Sequence, residues 1–164
     1  MGAFDHYRTT PWEPSFTEMK TAEECAHHIN SWHEDYPLRV EATLHVLTSQ
    51  WRGIAVVPVV TRKLLKRIHE QVFAGTDHGG TFRSVNVQVG RHSPPRFEAV
   101  DDLMKILETY YEIGSIEDAI AWYTDFETIH PFQDGDGRVG GIIVAAFSHK
   151  FSEGEHGGWL APNQ

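Results

Sequence analysis

His130-Pro-Phe-Gln-Asp-Gly-Asp-Gly-Arg138 decides how the rest of this chain is read. The twelve residues from His130 to Gly141 hold one imidazole, two carboxylates, one guanidinium and four glycines. These groups serve one another around a phosphate. Glycines let backbone N–H groups close on an anion, and a helix that follows offers its positive end. Arg138 supplies a planar fork for phosphate oxygens. A carboxylate can hold Mg2+, which itself binds phosphate. An imidazole titrating near neutrality can take a proton from a hydroxyl. The residues alone describe a loop that binds a metal–phosphate group beside a general base. By itself His130 would read as a helix-terminal histidine satisfying carbonyls; its company favours catalysis. Asp136 reads equally as a helix cap or Asx turn and as a group at the phosphate or metal. Gly140 and Gly141, each costing about 1 kcal/mol in a helix interior, suit close helix packing.

Three other motif matches fail here. Gly135-Asp-Gly-Arg-Val-Gly140 spells GxGxxG, but it follows a helical pattern where a dinucleotide fingerprint needs a strand. A calcium loop starting at Asp134 would place Val139 and Ala145 where glycine and glutamate belong. His69-Glu70 meets Phe73 where the second histidine of a zinc-protease motif belongs.

Working outward, the pattern is helical on both sides. Upstream, Ser115 opens IEDAIAWYTDFETI, with Ile116, Ile120, Tyr123 and Phe126 in register. Downstream lies the apolar run IIVAAFSHKF, then a loose tail, GEHGGWLAPNQ. Val100 to Tyr111 and Val60 to Phe73 have helical periodicity. Thr21 and Glu24 form a capping box for a helix that stops at Pro37, and a further helix covers Leu38 to about Gln50 before a WRGIAVVP connection. Between Thr81 and His92, Val85, Val87 and Val89 alternate with Asn86, Gln88 and Gly90, which predicts a half-exposed strand or hairpin. Residues 1–20, with Pro11 and Pro14, read as an irregular arm laid over a single domain of residues 21–164. The expected fold is mainly α with one short β-hairpin. Trp32, Trp51, Trp122 and Phe126 are expected in the core, and Cys25 as a small buried hydrophobe.

Composition narrows the function classes. At 164 residues and 18.6 kDa the chain suits one domain. Its 14 Lys+Arg against 23 Asp+Glu give −9, with no basic block, which argues against a nucleic-acid partner. One cysteine excludes an internal disulfide and a cysteine zinc site. No apolar run approaches the roughly 20 residues of a membrane span, and no hydrophobic signal core opens the chain. A cytoplasmic protein without membrane or nucleic-acid partners is expected; delivery as an effector by a specialised secretion machine would leave no mark.

HPFQDGDGR resembles the Fic-family signature, HxFx(D/E)GNGRxxR. FETIHPF resembles the helix end that precedes it, and GTFRSVNVQVGRHSPP resembles the upstream segment carrying the hairpin called the flap. The likeness covers about residues 60–150. It implies a mostly helical Fic-like domain that transfers AMP from ATP, with Mg2+, to a Ser, Thr or Tyr hydroxyl of a target protein. By that likeness His130 deprotonates the hydroxyl and Phe132 anchors the loop in the core. Asp134 holds Mg2+, Gly135 and Gly137 shape the anion hole beside Asp136, and Arg138 meets the phosphates being displaced. Val87, Gln88 and Val89 lie in the flap, where the target adds as a strand. A small antitoxin-like regulator and self-association also occur in the family.

Two departures stand in the signature. Its Asn is Asp136 here, and its second Arg, which ordinarily meets the γ-phosphate, is Gly141. The inhibitory pattern (S/T)xxxE(G/N) is matched by Thr48 to Gly53 except that Glu is Arg52, and Ser148 stands one residue too far from Glu153. The usual autoinhibition is therefore not expected, and Arg52 is a candidate to reach the space vacated at Gly141. The alternatives are the same fold with another phosphate-containing donor (UMP, phosphocholine or phosphate transfer), removal of AMP from a modified protein, and a degenerate Fic-fold binding module.

Overall fold

The structure, a computed structural model, describes residues 4–152 and 157–163; Glu153 lies outside them. Its helices are α1 (Ala22–Asn30), α2 (Tyr36–Ala55), α3 (Arg62–Val72), α4 (Val100–Tyr110), α5 (Ile116–Ile129) and α6 (Asp136–Phe151). The two strands are β1 (Phe16–Met19) and β2 (Trp159–Pro162). The fold is mainly helical with one antiparallel strand pair.

Three helices start where side-chain caps appear in sequence. Thr21, Thr61 and Ser115 each accept a hydrogen bond from the backbone N–H three residues on, at Glu24, Leu64 and Asp118. α1 ends at Asn30, short of the expected stop at Pro37, because that proline sits in the first turn of α2, where its missing N–H costs nothing. α2 then continues through the expected WRGIA connection to Ala55.

α6 is the central element. Arg138 to Ser148 are buried without a break, so the helix has no solvent face and is packed by α1, α2, α5 and β2. Gly140 permits the approach of α5: a Cβ there would sit 2.9 Å from the Tyr123 ring. Gly141 faces the other way, where a Cβ would lie 3.2 Å from Pro162 and 3.5 Å from Ile29. Trp122, Phe126 and Cys25 are buried as expected, whereas Trp32 is 49% exposed and T-stacks on His28.

The β structure lies elsewhere than the alternation suggested. β1, inside the expected irregular arm, pairs with β2, inside the expected loose tail, in the register Phe16 to Pro162 and Met19 to Trp159. The Phe82–His92 segment carries a single bridge, Val89 to His92, and no ladder. Val85 and Val89 are more than a third exposed, so this alternation has no core to face.

Candidate active site

α5 ends at His130, whose φ of 54° and ψ of 64° are left-handed. Its N–H still bonds the Phe126 carbonyl, so the residue acts as the helix's terminal cap. A non-glycine residue there costs on the order of 1 kcal/mol or more, which the surroundings must offset. Gly135, with φ of 86°, ends the loop and starts α6; a Cβ there would lie 2.2 Å from Phe73. Glycine is required there by both backbone and space.

Within this loop the sequence-predicted residues converge. Phe132 is fully buried and lies parallel to His69 at 4.0 Å between ring centres. Asp136 is buried; one carboxylate oxygen accepts from the Phe132 N–H at 2.7 Å, and the other stands 3.0 Å from His130 Nε2. The residue is thus neither a simple cap nor an exposed phosphate ligand: it ties the loop to itself and faces the imidazole. Burial alone would lower the His130 pKa, but the charge and hydrogen bond of Asp136 outweigh it and raise the pKa to about 9. His130 Nδ1 is buried with no hydrogen-bond partner among the described residues. One turn earlier, burial pushes the Glu127 carboxyl up to about 7.

Arg138 is 1% exposed, lies over Phe73 at 4.7 Å, and bonds Asp35 at 2.5 Å and Asp134 at 3.3 Å. Asp134 itself is half exposed at the loop tip. Asp35, in the turn before α2, also bonds Arg39 at 3.3 Å, and its pKa is lowered because its two arginine partners outweigh partial burial. The Arg138 fork is therefore filled by two carboxylates, with Nε buried and unpartnered among the described residues.

Several residues that hold this site were not singled out by motif. Arg83 is 4% exposed and grips the loop from the flap side. Its guanidinium donates to the carbonyls of His130 at 2.7 Å, Ile129 at 3.2 Å, Pro95 at 2.5 Å and Val85 at 3.0 Å, and its N–H donates to Pro131 O at 2.8 Å. It thereby satisfies carbonyls that the end of α5 leaves open. His69 accepts at Nδ1 from the Gly80 N–H, which leaves Nε2–H to donate to the Asp134 carbonyl at 2.9 Å. Burial lowers its pKa, consistent with that neutral form. His92 bonds the Thr128 carbonyl through Nε2 and Thr9 Oγ1 through Nδ1. Apart from the bond of Arg83 to Val85, these ties were not legible because each joins positions more than ten residues apart.

Val87, Gln88 and Val89 run along the extended segment beside the site; Gln88 bonds Gly90 O and Ser93 Oγ. Thr48 and Arg52 do not join them. Thr48 bonds the Leu44 carbonyl on α2, and Arg52 is exposed over the Trp51 ring at 4.9 Å. No vacated space exists for Arg52 at Gly141, since Pro162 and Ile29 already fill it.

A helix-terminal histidine, a glycine-bounded loop and the start of a buried helix together define a class of helical domains built around an HxFx(D/E)Gx loop. The model of the Fic/DOC family matches residues 59–148, more than half of the chain, and the chain belongs to that family. It is 31% identical over 94 residues to a probable protein adenylyltransferase of Aquifex aeolicus (strain VF5), covering 54% of this chain and 29% of that protein. It is likewise 31% identical over 93 residues to the protein adenylyltransferase Fic of Culex quinquefasciatus, covering 52% of this chain and 19% of that protein. The chain thus spans less than a third of the length of the curated relatives it matches. A Fic family protein from Desulfovibrio desulfuricans G20 shares the fold with a TM-score of 0.59 at 22% identity, covering 79% of this chain and 43% of that one. Among the described residues no helix is long and apolar enough to cross a membrane.

Proposed function

We propose that this domain transfers AMP from ATP to a Ser, Thr or Tyr hydroxyl of a target protein. The observation that carries the reading is the convergence of His130, Asp134 and Arg138 on one loop at the start of α6. The target oxygen attacks the α-phosphorus; the new O–P bond forms as the bond to pyrophosphate breaks. The hydroxyl proton passes to the neutral imidazole of His130, whose Nε2 lies 3.0 Å from Asp136. The proton then returns to water, and pyrophosphate leaves. Backbone N–H groups at the start of α6 and the Arg138 guanidinium stabilise charge on the phosphates.

Mg2+ would supply charge neutralisation at the phosphates. The donor set suits it: Asp134 offers one half-exposed carboxylate, and no group of three or more potential metal ligands stands together among the described residues. An ion bound mainly through phosphate oxygens and water needs no more. For Arg138 to engage phosphate, Asp35 must yield its place in the fork.

A second reading is favoured by Gly141. Gly141 supplies no cation to a third phosphate, and a side chain there would press on Pro162 from its Cβ outward, at 3.2 Å. This supports a donor with a diphosphate core as the alternative.

The test incubates wild type and His130→Ala with lysate, Mg2+ and α-labelled ATP, UTP, CTP or GTP in turn. A labelled band with ATP that needs both His130 and Mg2+ is expected. A folded wild type that labels nothing with any of the four overturns the nucleotide reading and leaves the other donors, the reverse reaction or a binding module.

A further inference from the structure

We propose that the cleft enclosed by the N-terminal arm, the end of the Phe82–His92 segment and α5 is a subsite for a basic side chain of the protein that presents the hydroxyl, with Glu127 as its counter-charge. That the bearer is the modified protein rests on the transfer reading above; the binding chemistry does not. The cleft has a volume of about 330 Å³, enough for one long side chain. Its walls include Trp12 and Tyr123, whose rings lie 6.2 Å apart, and Val89 at the end of the flap. Glu127 lies in its lining, one turn before His130. Glu127 Oε1 is buried and has no hydrogen-bond partner among the described residues. A buried acceptor left unpaired carries a desolvation cost that a ligand donor can relieve. The charged groups facing Glu127 from the loop, His130 and Asp136, are engaged with each other.

Two arginines, Arg8 and Arg91, also line the cleft. Arg8 contributes its charge to Asp5 and Asp125 and not to Glu127. Arg91 is exposed at the rim, where solvent and salt screen its repulsion. A lysine or arginine side chain has the matching shape: an aliphatic stem for Trp12 and Val89, and a cation for the carboxylate and the aromatic faces. The chain's charge of −9 draws such a segment toward it at long range.

The test needs neither nucleotide nor transfer. The full chain is labelled with 5-fluorotryptophan, and the Trp12 fluorine signal, assigned with Trp12→Phe, is followed by NMR. The probes are N-acetyl-lysine methylamide, its neutral isostere N-acetyl-norleucine methylamide, and N-acetyl-glutamate methylamide. The lysine probe is expected to shift Trp12 saturably, with binding at least about tenfold weaker for norleucine and in Glu127→Gln, as loss of a charge-assisted contact implies. Arg91→Gln, on the exposed rim, is expected to tighten it. Equal shifts from lysine and norleucine, tighter binding of glutamate, an unchanged affinity in Glu127→Gln, or no saturable shift from any probe overturns the proposal. Absence of nucleotide transfer alongside lysine binding would overturn the transfer reading and leave the subsite standing.

Discussion

The loop from His130 to Gly135 is held at several points along its backbone, with only its tip at Gln133 and Asp134 exposed, whereas the segment from Phe82 to His92 is held chiefly at its two ends. In the loop, Asp136 takes the Phe132 N–H, His69 takes the Asp134 carbonyl, and Phe132 is buried against the His69 ring. In the segment, Arg83 anchors one end beneath the loop and His92 pins the other to Thr128, while Val85 and Val89 between them are more than a third exposed. The contrast follows from what each has to do. A group that takes a proton within a fixed geometry must be placed to a fraction of an ångström. A segment that receives another chain gains from backbone groups left unpaired until that chain arrives.

Arg83 is where the two regions share a support, so removing it should break the comparison outright. Arg83→Ala leaves the carbonyls of Ile129 and His130, at the turn that carries the imidazole, and that of Pro95, beyond the flap, without their donor. The expected cost is about 2–4 kcal/mol of stability, from several buried acceptors losing a charged donor at once. Transfer activity, if the proposed reading holds, should fall by about a hundredfold or more, since misplacing a catalytic group by about 1 Å costs that much. Urea unfolding measures the first effect and labelled-nucleotide transfer the second. A variant that keeps full stability would show that the loop holds itself.

Asp136→Asn sharpens the comparison from within the loop. The asparagine can still accept from the Phe132 N–H, so the backbone tie survives, but the charge facing His130 is gone. With Asp136 present, burial lowers the imidazole pKa and the carboxylate raises it further, to about 9. The base is the neutral form, so wild-type transfer should rise with pH through that value. In Asp136→Asn the rise should move down by at least about one unit, making the variant on the order of tenfold faster near neutrality, one unit being a factor of ten. Stability has the opposite sign. A raised folded-state pKa stabilises below the unfolded value of about 6.5, and that stabilisation is lost as pH rises through about 9. The variant should lack this pH dependence. Coincident pH–rate profiles of the two proteins would remove Asp136 from the control of His130.

How much of this was legible in the sequence depended on distance along the chain. Helix starts at Thr21 and Ser115 were visible because each cap acts within three residues. The signature loop was visible for the same reason: its chemistry is concentrated in nine residues, His130 to Arg138. The pairing of Phe16–Met19 with Trp159–Pro162 was not, because neither four-residue strand shows a period without its partner. The valine alternation at 85–89 misled in the opposite direction: a period of two records extended backbone, and whether a second strand lies alongside is decided elsewhere. Arg83, His69 and Asp35 carried no motif, since each serves the site through carbonyls or a guanidinium supplied from a distant segment.

The far end of the flap offers the smallest and most local test. Thr9 Oγ1 accepts from the Ser93 N–H at 2.6 Å and lies 3.0 Å from His92 Nδ1, so one arm hydroxyl joins the N-terminal arm to the flap. Both contacts are exposed, and together they should contribute no more than about 1 kcal/mol. Thr9→Val keeps the side chain's size and removes the hydroxyl. Global unfolding should hardly change, because the core formed around α6 does not involve Thr9. Local opening should change, and trypsin can read it, since Arg91 lies in the segment so clasped. When reclosing is fast, cleavage follows the open population, so cleavage at Arg91 should quicken by about two- to fivefold at unaltered urea midpoint. Equal cleavage rates would mean that the His92 bond to Thr128 holds the flap end without the arm. The contrast between a loop tied at several points and an end-held flap would then rest on α5 alone.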